Sequence, residues 1–173
     1  TWAHPFGTDD FGRDIFSRIL WGARETIGLP AMATALAVTI GTFLGLATGY
    51  IGGWFDEVIS RALDSLLAIP PLVLALVMLA TLVPVLDSSD NVLVETFGAN
   101  NISIMLVIVL LYVPIVTRVI RSATLSIRAT GYVETARLRG ESTAYIMFRE
   151  ILPGVLPALV VEASLRISYA VFC

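Results

Sequence analysis

The chain has 173 residues, of which 57% are hydrophobic and 14% charged, and a formal net charge of -3. Soluble domains average about 45–50% apolar and about 25% charged residues, so this balance points to a lipid-embedded chain. All 11 basic residues are arginines and they form no exposed run, which argues against a nucleic-acid surface; a single cysteine, Cys173, and a single histidine, His4, rule out an internal disulfide framework and a Cys/His metal centre.

Thr1 is not an initiator methionine and the chain stops inside an apolar run, so the expectation is an internal piece of a longer protein, truncated at both ends. Residues 1–26 read as an external segment preceding a span. Asp9, Asp10 and Asp14 there are read as turn caps ahead of an interfacial helix rather than as a cation site. A hydrocarbon core about 30 Å thick takes about 20 mostly apolar residues in a helix. Ile27 to Tyr50 meets this without a charge. Within it Ala33, Ala37, Gly41, Gly45 and Gly49 recur every four residues, a small-residue stripe that lets another helix approach closely.

Ile51 to Ser65 reads as a short polar connection in which Asp56 and Asp64 flank Arg61, so pairing on a solvated helix surface is expected. Leu66 to Leu86 is the second charge-free run, with Pro70 and Pro71 in its first turns, where a missing N–H matters least. Asp87 to Asn101 carries Asp87, Asp90 and Glu95 and no basic residue. Ile102 to Thr117 is the third run; Pro114 predicts a kink and Arg118 closes it. Arg118 to Glu150 holds six arginines against three glutamates. Gly154 to Cys173 begins a fourth run that carries Glu162 and Arg166, four apart and able to pair on one helical face. Three charge-free runs in so short a chain argue against buried helices of a soluble protein. Residues 27–173 therefore read as an all-α, polytopic transmembrane helical bundle. By arginine placement the segment 118–150 faces the cytoplasm and the acidic loop faces outward.

Residues 130–153 form the most informative stretch, a hairpin between the third and fourth runs. Thr130-Gly131 ends the preceding helix, Tyr132 to Arg139 forms a short one, and Gly140 supplies a turn. Ser142 caps a helix running to Ile151, and Leu152-Pro153 leads into the next span. Charged residues (Glu134, Arg137, Arg139, Glu141, Arg149, Glu150) alternate with apolar ones (Val133, Leu138, Tyr145, Ile146, Phe148). Two readings are open from the residues alone: a docking element for another protein, or an amphipathic hairpin lying on the bilayer.

Glu134-Thr135-Ala136-Arg137-Leu138-Arg139-Gly140, followed by Leu152-Pro153, resembles the EAA motif of importer permeases of the ATP-binding-cassette superfamily, most closely the dipeptide/oligopeptide/nickel group. Gly7-Thr8-Asp9-Asp10-Phe11-Gly12-Arg13-Asp14 resembles that group's GTDxxGRD signature. Tyr50-Ile51-Gly52-Gly53-Trp54-Phe55-Asp56 and Leu67-Ala68-Ile69-Pro70 follow in the same order. Thr135 departs from the usual alanine, and Glu150 from a frequent histidine. The resemblance implies a type I importer permease fold in a bacterial or archaeal inner membrane. It also implies a second permease subunit, cytoplasmic ATP-binding subunits and an extracytoplasmic solute-binding protein as partners, with peptides or nickel as solute.

ATP would be bound by the partner subunits, since this chain has no GxxxxGK[ST] loop, and the chain would be no enzyme and hold no cofactor of its own. Glu134, Ala136, Arg137, Gly140 and Tyr145 are the implied ATPase contacts, and Glu162 with Arg166 is read as an intramembrane pair. A self-sufficient, ion-gradient-driven secondary transporter or channel is the alternative, with Glu162 and Arg166 as its only candidate ions.

Overall fold

The computed structural model describes residues 5–88 and 92–172; Thr1, His4, Asp90 and Cys173 lie outside the described residues. The helices are α1 (Ile15–Ile51), α2 (Gly53–Leu67), α3 (Pro71–Asp87), α4 (Val92–Phe97), α5 (Ala99–Arg128), α6 (Gly131–Leu138) and α7 (Thr143–Phe172). Among the described residues the only β feature is an isolated bridge between Thr8 and Asp14. The chain is all-α. Helices α1, α5 and α7 are long and apolar enough to cross a membrane, and α2 with α3, bent by 90°, would make a fourth crossing as one broken span.

Helix α1 begins well ahead of the expected Ile27, and residues 15–26 are continuous with the first span. Its 37 residues measure about 55 Å at 1.5 Å per residue, against about 30 Å of hydrocarbon. The start is fixed locally. The Asp14 carboxylate accepts from the Ser17 N–H at 3.0 Å and the Ser17 hydroxyl at 2.6 Å. Before it, Gly7 and Gly12 take positive φ, and the loop closes around Asp9. The Asp9 carboxylate accepts from the N–H groups of Phe11 and Arg13, both at 2.9 Å, and from the guanidinium groups of Arg13 and Arg18 at 3.1 and 2.7 Å. The Arg13 N–H is the largest of the donors that hold the Asp9 carboxyl below its ordinary pKa. This motif organises a helix start, as the turn-capping expectation had it.

The glycine stripe finds its partner inside the chain. A Cβ on Gly41, Gly45 or Gly49 would stand 2.7 Å from the Cβ of Val116, Ile120 or Thr124, respectively. Both numberings ascend together, so α1 and α5 run parallel in one register. Ala33 and Ala37 continue the stripe and are fully buried. Helix α5 passes through Pro114 as a single helix.

Consecutive positive φ at Gly52 and Gly53 marks the junction of α1 with α2. The expected second span is displaced: Leu66 and Leu67 close α2, and α3 starts at Pro71, the first helical position, where a proline loses nothing. The expected pairing around Arg61 is also corrected. Arg61 bonds Glu57 at 2.6 Å, one turn away. Asp56 instead takes both arms of Arg121 on α5, each at 2.5 Å, and Asp64 takes Arg118.

No break separates the hairpin from the last span. Helix α7 runs unbroken from Thr143 to Phe172, wound as a π-helix over Ile146–Ile151, where the Leu152 N–H donates to the Met147 carbonyl. Pro153 follows at once. It lacks an N–H and its ring crowds the carbonyl one turn back, so the widened turn absorbs it without stopping the helix. The buried core lies at this end of the bundle: Leu46 and Tyr50 of α1, Val116 and Ile120 of α5, Val133 and Ala136 of α6, and Ile146, Met147, Ile151 and Val155 of α7.

Candidate functional site

The hairpin is a rigid corner held by backbone bonds. Helix α6 ends in a Schellman arrangement: the Gly140 N–H donates to the Arg137 carbonyl at 2.9 Å and the Glu141 N–H to the Ala136 carbonyl at 3.3 Å. Gly140 sits at φ +78°, a left-handed conformation that a Cβ disfavours. Ser142 then caps α7, its hydroxyl accepting from the Tyr145 N–H at 3.3 Å. Arg139 reaches across to Glu150 at 3.8 Å, bridging the two arms.

The predicted contact residues divide into two groups. Glu134 is exposed in the first turn of α6, where the helix dipole favours a carboxylate, and it has no ion-pair partner among the described residues. Tyr145 is exposed, and Gly140 is exposed at the bend. Ala136, by contrast, is 0% exposed. It offers no surface to a partner; its small side chain lets α6 settle onto the core. Arg137 turns inward at its tip: its Nε–H donates to the Tyr50 hydroxyl at 3.3 Å, and the guanidinium carbon lies 4.8 Å from the ring centroid.

Two features went unread in the sequence. Leu138, at the end of α6, is 84% exposed, an apolar side chain placed outermost on a polar corner. Tyr50, at the end of α1, receives Arg137 and also lies 6.0 Å from the Arg128 guanidinium carbon. A usable signal was there: an aromatic with a polar tip at a span end, in a chain whose arginines cluster in one connection.

Glu162 and Arg166 form the expected pair. Arg166 Nε donates to Glu162 Oε1 at 2.6 Å. Glu162 is 6% exposed, and the guanidinium lies 5.5 and 5.7 Å from the rings of Tyr112 and Tyr169. A charge at such depth is costly unless compensated, and here a carboxylate and two ring faces compensate it. No group of three or more His, Cys, Asp or Glu able to hold a metal occurs among the described residues.

The family of binding-protein-dependent transport system inner membrane components matches residues 15–172. The chain belongs to that family. Its relatives include the dipeptide transport system permease protein DppC of Alkalihalophilus pseudofirmus, 38% identical over 168 residues, covering 97% of this chain and 50% of the relative. The glutathione transport system permease protein GsiD of Pectobacterium atrosepticum is 34% identical over 169 residues, covering 98% and 51%. A probable D,D-dipeptide transport system permease protein, DdpC of Escherichia coli, is 38% identical over 169 residues, covering 98% and 52%. The chain spans about half the length of the curated relatives it matches. This inner-membrane component is multi-pass, on the family's description and its own apolar helices, and its relatives are transport permeases rather than enzymes.

Proposed function

We propose that the chain is part of a permease subunit of an ATP-driven importer of small peptides, and that hairpin 130–153 seats on a cytoplasmic ATP-binding subunit. The observation that carries this reading is the stiff corner at Gly140 with Leu138 standing almost fully exposed on it. An interfacial amphipathic hairpin would lay a broad apolar face on lipid; here Val133, Ala136, Ile146 and Met147 face the protein core instead. What remains outside is Leu138 as the most exposed apolar side chain, with Tyr132, Tyr145 and Phe148 only part exposed and Glu134 and Arg139 on the same short arm, the mixed composition of a compact docking contact. Arginine placement puts this corner in the cytoplasm.

Closure of two ATP-binding subunits would move the corner, and α7, continuous with it, would carry the motion into the membrane as a rigid rod. The second permease subunit completes the pathway, and an extracytoplasmic binding protein delivers the solute. The named cargoes of the relatives, dipeptides and glutathione, favour peptides over the nickel that the sequence resemblance also admits. The alternative of an ion-gradient-driven transporter gains no support from Glu162 and Arg166, which are engaged with each other.

The test is co-purification of the full-length complex with its ATP-binding subunits. Glu134→Lys and Gly140→Pro are expected to remove most of the bound ATPase while the permease remains in the membrane. Normal ATPase retention by both variants, or labelling that places Gly140 outside the cell, would overturn the reading.

A further inference from the structure

Tyr50 lies in the last turn of α1, one residue after the last glycine of the seam, and two arginines from other elements converge on it. Arg137, on the first arm of the hairpin, bonds its hydroxyl and covers its ring. Arg128, the last residue of α5, lies against the same ring and donates from Nη1 to the Gly49 carbonyl at 3.3 Å. That carbonyl belongs to the final turn of α1, whose orphan acceptors and negative dipole end attract a cation. Tyr50 is 8% exposed, so its side of both contacts is shielded from water, with Arg128 half-buried and Arg137 reaching in from the surface.

The rest of the junction is apolar: Leu46, Val133, Ala136 and Ile146, with Phe43 edge-on to Phe148 at 5.8 Å between ring centroids. Apolar contacts of this kind resist separation but set direction weakly. A hydrogen bond and a guanidinium stacked on a ring face do set direction. We infer that Tyr50, gripped by Arg137 and Arg128, is the joint through which movement of the hairpin turns α1, so that α1 follows the corner together with α7. Tyr50 is thus a positioning residue, acting through Arg137. The inference rests on the coupling reading above and adds a second route from the corner into the membrane.

The test uses the full-length transporter assembled with its ATP-binding subunits, in a Cys173→Ser background, with an environment-sensitive fluorophore on Gly22→Cys. Gly22 lies on α1 far from the joint, is exposed and has open space around it. The readout is the spectral change on trapping with ATP and vanadate, which needs no knowledge of the solute. Tyr50→Leu is expected to retain the ATPase and its hydrolysis rate yet lose the α1 signal by a factor on the order of ten, the range of a desolvated cation–ring contact. Tyr50→Phe, nearly isosteric and so safe for folding, is expected to lose about half, because the ring face remains.

A purely structural role would lower melting temperature and hydrolysis together with the signal, and that outcome overturns the joint. Full signal in both Tyr50 variants overturns it as well. Wild-type complex that binds no ATPase overturns the coupling reading and the joint with it, whereas wild-type coupling with indifferent Tyr50 variants removes the joint alone.

Discussion

The α1–α5 seam and the 130–153 hairpin are both close approaches of helices, and they are achieved in opposite ways. In the seam, glycine and alanine remove side chains so that one helix backbone rests on its neighbour's side chains, with the Arg128 bond to the Gly49 carbonyl at its end. In the hairpin, a Schellman turn, a serine cap and an arginine–tyrosine clasp fix the geometry, while Leu138 is left almost wholly outside. The seam has no room to yield; the hairpin has a shape to present. A lever needs both, a stiff body and an outer contact point that folding does not use.

The largest effect is expected where the contrast is sharpest. Gly45→Val would drive a branched side chain against Ile120 and, at 2.8 Å, against the Thr117 carbonyl, which cannot rotate away. A loss of about 3 kcal/mol is expected, at the upper end for overpacking. Thermal unfolding of the detergent-purified complex should show it, with Gly22→Val, in open space, as the matched control. Equal melting of the two would mean that α1 and α5 do not meet as described.

The α2–α5 clasp comes next. Asp56→Asn keeps the shape but removes the charge that holds both arms of Arg121, with an expected cost of about 1–2 kcal/mol, as for a hydrogen bond to a charged group. Thermal unfolding of the detergent-purified complex checks it, and equal melting of Asp56→Asn and the wild type would contradict the pairing with Arg121.

These two tests also mark what could be read from the sequence. Local signals survived: the Gly140 turn, the Ser142 cap, the Asp14 helix start and the Glu162–Arg166 pair all involve residues within one or two turns of each other. Long-range choices did not. Asp56 had Arg61 nearby in sequence, yet geometry gave it Arg121 and left Arg61 to Glu57. The glycine stripe announced a partner helix without naming α5. Ala136 read as an outward contact because a short helix has two faces and the sequence does not say which is covered. The helix read as running to Ile151 continues through Leu152-Pro153 into the last span, because a π turn can absorb a proline, which no spacing rule reveals.

The same ambiguity of faces frames the third test, at the bend. Gly140→Ala must place a Cβ at φ +78°, costing about 1–2 kcal/mol where glycine costs nothing. The strain is local to the corner, so the seam's contribution to melting should be intact and only the hairpin should loosen. Faster amide hydrogen exchange confined to residues 131–145 is expected; exchange spreading along α1 and α5 would show that the hairpin and the seam unfold as one unit.

The smallest effect on stability is expected to carry the largest effect on partnership. Leu138 touches little of its own chain, so Leu138→Ser should change melting by no more than about 0.5 kcal/mol, as for other exposed substitutions. If Leu138 is the centre of the docking contact, the same variant should nonetheless release the ATP-binding subunits during purification, because truncating a central apolar anchor at an interface costs on the order of 2 kcal/mol. Ala136→Ser, two residues earlier on the same helix, should do the reverse: weaken the fold through a buried hydroxyl and leave the docking surface untouched. Neighbouring positions on one short helix would then separate folding from partnership, and a Leu138→Ser variant that keeps its ATPase at full strength would move the contact elsewhere on the corner.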